Sequence, residues 1–192
     1  MVATITKEQI AELAVEVFPC PIYVVNAEEE ANKAVEVLRK YKLIGFDTET
    51  KPNFKKGQKN KIALIQLSTN EFCYLFRLNK MGIPASLKNL LHDSSITKIG
   101  LSLKDDFAAM AGRTKSEMLS FIDLQNMVDD YGIEDKSLQK IYAILFDKRI
   151  SKAQRLSNWE AETLTEAQKA YAAIDAWACL KIYEKLKEAD IR

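Results

Sequence analysis

The spacing of apolar residues changes several times along this chain, and each change predicts an element. Ile10, Leu13, Ala14 and Val17 recur at helical spacing, predicting a helix over residues 6–17. The apolar run "IYVV" at 22–25 predicts a short strand, and "AEEEANKAVEVLRKY" after it a helix. "LIGFDTE" (43–49) predicts a strand. "KPNFKKGQKN" (51–60) predicts a loop, broken by Pro52 and Gly57. "KIALIQLST" and "EFCYLFRL" predict two further strands in a hairpin across Thr69 and Asn70. "SLKNLLHD" is helical, "TKIGLS" a strand, and "KDDFAAMAG" opens another helix. From residue 121 onward the pattern is mostly helical. The last helix starts at "TEAQ", where Thr165 and Gln168 form a capping box, and runs to about Ala189. Strands early and helices late predict an α/β domain, a mixed sheet with a central hairpin and helices on both faces.

Composition narrows the class. The chain has 192 residues, 47% hydrophobic and 29% charged, which fits one globular domain with residues 1–20 as an N-terminal helical extension. The 28 basic and 27 acidic residues nearly cancel, so a nucleic-acid partner would need a local site rather than bulk charge. Cys20, Cys73 and Cys179 are widely separated, with no CxxC or Cys/His pairing, which argues against zinc and for reduced thiols. No apolar run is long enough for a membrane helix and the N-terminus lacks a signal-peptide core, so a cytoplasmic protein without a membrane partner is expected.

Four acids stand out. Asp47 and Glu49 are two apart at a strand end, so both project from one face. At about 4 Å they would repel by roughly 4 kcal/mol at an effective dielectric of about 20. A hard divalent cation offsets that repulsion; a solvated loop would dilute it. Asp175 has Tyr171, Ala172, Ala178 and Cys179 as helical neighbours, none charged, so it faces inward. A cation or a buried Arg would answer its charge. Asp105 and Asp106 open a helix, where acids also simply complement the helix dipole. Together these are oxygen-only ligands of the kind that suit magnesium or manganese.

The ordered segments "FDTE", "IGLSLKDDFAAM" and "YAAID" resemble the three motifs of the DEDD-superfamily 3′–5′ exonucleases. Tyr171-x-x-x-Asp175 matches the tyrosine subclass; Ala170 stands where the histidine subclass has its His. "LSNWEAETLTEAQKAYAAIDAWACLKIY" is similar to the exonuclease domain of the Werner syndrome helicase and its stand-alone relatives, and the likeness extends over residues 22–188. The resemblance implies a ribonuclease H-like fold and a metal-dependent exonuclease that removes 5′-mononucleotides from a 3′ end. It implies Asp47, Glu49, Asp106 and Asp175 as ligands of two divalent cations, Mg²⁺ or Mn²⁺, with Asp105 competing for the place of Asp106. It implies Tyr171 as the residue that orients the attacking water.

The Werner-like flank favours DNA. A ribonuclease D-like exoribonuclease is the alternative, as is a non-catalytic nucleic-acid-binding module of the same fold. A helicase or other processivity partner is expected, because the ribonuclease D type carries an extra helical domain. Thr48, Ser102 and Leu103 flank the motifs and are candidates to touch the substrate. Lys55, Lys56 and Lys59, with Lys51, Lys61 and Phe54, are candidates to follow the phosphate backbone and stack a base. Trp159 is expected in the core, and His92 at a surface helix end.

Overall fold

The computed structural model describes residues 2–52, 61–110 and 119–190. Its strands are β1 (Ile22–Val25), β2 (Leu43–Thr50), β3 (Ile62–Ser68), β4 (Cys73–Arg77), β5 (Thr97–Gly100) and β6 (Phe121–Asp123). They form one sheet in the order β1-β4-β3-β2-β5-β6. β3 is antiparallel to β2 and β4, while β2–β5, β5–β6 and β1–β4 are parallel, so β3 alone runs against the rest. The predicted hairpin joins β3 to β4. Its turn closes by a Thr69 N–H to Phe72 O bond of 2.9 Å, and the Thr69 hydroxyl accepts from the Glu71 and Phe72 amides.

The helices are α1 (Lys7–Glu12), α2 (Glu28–Leu38), α3 (Leu78–Met81), α4 (Ala85–Leu91), α5 (Leu103–Met110), α6 (Leu138–Phe146) and α7 (Glu166–Asp190). They divide between the two faces. Ile44, Phe46, Ile65 and Leu67 meet α2 and α4 through Ala31, Val35, Leu38, Leu87 and Leu91. Leu64, Leu75 and Ile99 meet α6 and α7 through Ile141, Ala172, Ala178 and Ile182. All seven β3 residues are buried, as a central strand covered on both sides requires. No helix among the described residues is long and apolar enough to cross a membrane.

α7 is buried without a break from Tyr171 to Leu180. It starts at the predicted capping box, with Thr165 and Gln168 exchanging side-chain-to-amide bonds of 3.0 and 3.2 Å. Arg77 anchors the loop before it. This buried guanidinium donates to the carbonyls of Ala161 and Glu162. Trp159 is fully buried and packs at 5.9 Å from the Tyr171 ring. The three cysteines are free, with Cys73 and Cys179 buried and Cys20 half-buried. His92 caps α4, half-buried rather than on the surface.

Two expectations are corrected. The first helix covers only Lys7–Glu12; Leu13 already has extended backbone, and Val15 bridges Arg149. The N-terminal segment is therefore stapled to the domain rather than a helical extension. Glu16 adds to the staple by accepting from the Tyr142 hydroxyl and Lys148 Nζ. Nor is the chain mostly helical from residue 121. Phe121–Asp123 forms an edge strand, 3₁₀ turns follow at Leu124–Asn126 and Val128–Tyr131, and residues 147–165 are irregular apart from turns. A three-residue strand is too short to show a period of two, and its pairing with β5 is a tertiary fact.

Candidate active site

The carboxyl ends of β2 and β5 lie side by side, with α7 crossing the sheet beside them. Asp47 and Glu49 project from β2 toward α7, which supplies Asp175. One carboxylate oxygen from each of the three lies within 4.8 Å of the others. The close approach depends on Gly45, two residues earlier on the same face. A Cβ there would stand 2.0 Å from the Ala176 carbonyl oxygen. A register shift between Glu49 and Thr50 breaks the β2–β3 ladder beside the acids, a common device for aiming a side chain at a site.

Asp106 comes from the first turn of α5 and is held by the Thr48 hydroxyl, which donates to Oδ1. Its charge bears on both Asp47 and Glu49. Asp105 points to solvent, so Asp106 is the acid that turns toward the cluster. Thr48, a candidate substrate contact, thus spends its hydroxyl on Asp106. Ser102 lies at the rim of the cleft described below. Leu103 is buried, its Cδ2 packed beneath Gly100, and it offers a substrate almost no surface. Lys55, Lys56, Lys59 and Phe54 lie outside the described residues. Lys51 is paired to Glu160 at 3.5 Å, and Lys61 is exposed.

Burial raises all four acids, and repulsion by the other acids of the cluster adds to it at Asp47 and Glu49. Asp47 is pushed well above the usual carboxylate range by burial, then by Asp175 and Glu49. Glu49 rises to about 9 through burial, then Asp175 and Asp106. Asp175 rises to about 7 through burial, opposed by a hydrogen bond from Tyr171 and by the Lys152 charge. Asp106 rises to about 6 through burial, opposed by its bond from Thr48. Burial also raises Tyr171, followed by the charges of Asp175 and Glu49, so its phenol stays protonated near neutral pH.

The consequence for stability has a definite sign. An unfolded carboxyl titrates near 4, so between there and the raised folded values the folded metal-free protein binds more protons than the unfolded chain. The cluster's contribution is fully present below about pH 4 and is lost as pH rises through the folded values, from about 6 at Asp106 to about 9 at Glu49. The melting temperature in chelator should therefore fall between about pH 5 and pH 9, and excess Mn²⁺ should flatten that fall. Scanning calorimetry across this range is the check. A profile indifferent to the cation would contradict the clustered arrangement.

Sequence reasoning missed three sets of residues at the site. Asp123, at the end of β6, accepts from the backbone amides of Ser102 and Leu103 at 2.9 Å. It thereby holds the turn at Ser102, whose φ of 61° is unusual for a residue with a side chain, and fixes the start of the helix that carries Asp106. An acid ending an apolar "FID" repeats in miniature the β2 signal, but the segment reads as helix. Lys136, Lys152 and Arg155 share with Ser102, Tyr171 and Asp175 the lining of a cleft of about 620 Å³. They are scattered over an irregular stretch with no motif to mark them. Gln66 sits inside β3, where it looks like an interruption of a hydrophobic strand.

An all-oxygen donor set with raised pKa values fits a hard divalent cation, whose charge would offset the repulsion. The mixed sheet, with β3 reversed between β4 and β2, defines a ribonuclease H-like fold with acids gathered beside its central strands. The chain belongs to the 3′–5′ exonuclease family, whose model, described as "3'-5' exonuclease", matches residues 22–189. Mouse "Bifunctional 3'-5' exonuclease/ATP-dependent helicase WRN" is 37% identical over 75% of this chain and 11% of its own length. Drosophila melanogaster "Exonuclease 3'-5' domain-containing protein 2" is 35% identical over 76% of the chain and 25% of its own. The chain thus spans a quarter or less of either relative's length. Among solved structures, the EXO domain of Aedes aegypti Nibbler superposes with a TM-score of 0.78 at 22% identity, over 89% of this chain and 90% of its own. Escherichia coli RNase D, an exoribonuclease, does so with 0.78 at 23%, over 88% and 45%.

Proposed function

We propose that this chain is a metal-dependent 3′–5′ exonuclease that removes 5′-mononucleotides from a nucleic-acid 3′ end, with DNA favoured. The observation that carries the reading is the convergence of Asp47, Glu49 and Asp175 within 4.8 Å beside a cleft lined by basic residues. Membership of the exonuclease family supports it. The preference for DNA rests on the Werner-like flank of the third motif, and the 37% identity to the mouse exonuclease–helicase supports that likeness. The helicase named in that relative supports a further proposal, that a helicase in the same or another chain delivers the 3′ end.

In this reading Asp47, Glu49 and Asp175 would hold one of two cations, Mg²⁺ or Mn²⁺, and Asp47 would be the main ligand of the second, with Asp106 contributing through water. When bound, the ions supply Lewis acidity to the scissile phosphate and make water a better nucleophile. The chain's own groups do the positioning. Lys152 and Arg155 draw the phosphates of the terminal nucleotides into the cleft, where Lys136 is held by Asp129 and the Gln125 carbonyl. The phenol of Tyr171, kept neutral by burial and neighbouring acids, orients the attacking water as a hydrogen-bond partner and is unsuited to being a base. Trp159 behind its ring limits its movement. A new P–O bond forms to water, the P–O3′ bond breaks, and the shortened strand keeps a 3′-hydroxyl.

The test uses 5′-labelled recessed-end DNA and matched RNA, each with Mg²⁺, Mn²⁺ or chelator. A ladder shortening from the 3′ end, dependent on metal and faster on DNA, is expected. Faster decay of RNA would overturn the DNA preference. Binding without metal-dependent cleavage would make the chain a nucleic-acid-binding module.

A further inference from the structure

Gln66 lies at the middle of β3, fully buried, directly across from Asp47 in the antiparallel pairing with β2. Opposed residues in such a pair carry their side chains on one face, with Cβ atoms about 4.5–5.5 Å apart. The amide of Gln66 therefore shares the face on which α7 delivers Asp175. Of its neighbours on that face, Leu75 faces it from β4 and Leu64 lies opposite Glu49, while the Ser68 hydroxyl donates to the Thr69 carbonyl. Neither Nε2 nor Oε1 has a hydrogen-bond partner.

A central strand gains nothing from this residue as packing. Leucine or methionine would fill the space without stranding two desolvated polar atoms. What singles out this position is its neighbour. The residue opposite it in the pair is Asp47, a carboxylate that faces mainly other acids. An ionised carboxylate accepts a charge-assisted bond from a donor such as Nε2.

We propose that Gln66 is a positioning residue for Asp47. Its Nε2 donates, directly or through one buried water, to the carboxylate oxygen turned away from the cation, fixing the other oxygen for coordination. Outer hydrogen bonds of this kind commonly orient metal ligands, and their loss weakens binding about 10–100-fold. The inference rests on the divalent-cation reading of the site.

Gln66→Met keeps the volume and removes both polar atoms. Calorimetric titration of chelator-treated wild type and variant with Mn²⁺ should show binding about tenfold weaker in the variant. The metal-free variant should melt no lower than wild type, because an unpartnered amide has gone, and its cleavage should recover at saturating Mn²⁺. Equal Mn²⁺ affinity in the two proteins overturns the role of Gln66 and leaves the cation reading standing. A wild type that does not take up Mn²⁺ overturns both. If Gln66→Met does not fold, Gln66→Asn withdraws the amide by one methylene and is judged by the same titration.

Discussion

Asp47→Asn should lower cleavage by about 10³-fold or more while raising the melting temperature of the metal-free protein. The first effect follows from the position of Asp47. It is the acid on which the charges of Asp175, Glu49 and Asp106 all bear, so it is central to any cation held there. Weakened Lewis-acid stabilisation is worth several kcal/mol in the transition state, and each 1.4 kcal/mol is about tenfold in rate. The second effect has the opposite sign because the acids repel when no cation is present. At 4.8 Å, two charges repel by roughly 3–4 kcal/mol at an effective dielectric of about 20. Proton uptake relieves part of this, so a gain of about 1–2 kcal/mol at pH 8 is expected, or about 3–6 °C for a chain of this size. Asparagine keeps the shape and removes the charge, so packing contributes little. Differential scanning fluorimetry in chelator, paired with an end-labelled cleavage assay, reads both. A metal-free variant that melts below wild type would show that Asp47 is stabilised by its surroundings rather than crowded by like charge.

Gly45→Ala should be the most damaging single methyl in the sheet. The added Cβ would stand 2.0 Å from the Ala176 carbonyl oxygen, 2.8 Å from its carbon and 3.3 Å from Leu180 Cβ. The first two are backbone atoms of a helix buried from Tyr171 to Leu180, so no side chain can swing aside. Helix and strand must separate by an ångström or more. The expected cost is about 3 kcal/mol, read as a melting temperature lower by about 6–12 °C. Function should suffer beyond the loss of folded protein. Asp175 precedes Ala176, and Asp47 follows Gly45 by two residues, so the separation widens the distance between acids that must share a cation. Displacement of about 1 Å can cost about 10²-fold in rate, so the folded fraction should be crippled as well. Gly45→Ala that melts like wild type and cleaves normally would show that α7 does not lie this close to β2.

The chain announces much of this architecture. β2, β3, β4 and α7 are long, apolar and bounded by clear stops, and the Thr165–Gln168 capping box stands where predicted. The inward placement of Asp175 follows from its uncharged helical neighbours, and its side chain is 8% exposed. Elements whose stability comes from contact rather than pattern are less legible. β6 has three residues and exists because β5 lies beside it. The segment after α1 is extended because Arg149 and Lys148 are there to hold it.

The same division runs through the site. By itself, the sequence determines which acids are available, that Asp47 and Glu49 share a face, and that Asp175 cannot point to water. Those conclusions follow from the periods of strand and helix, which are local properties of the backbone. Tertiary structure alone decides that the three meet within 4.8 Å, that Asp106 rather than Asp105 turns toward them, and that Thr48, Asp123 and Gln66 surround them. Each of those facts depends on strand order, register or a helix start, relations between residues 19 to 128 positions apart that no local period encodes.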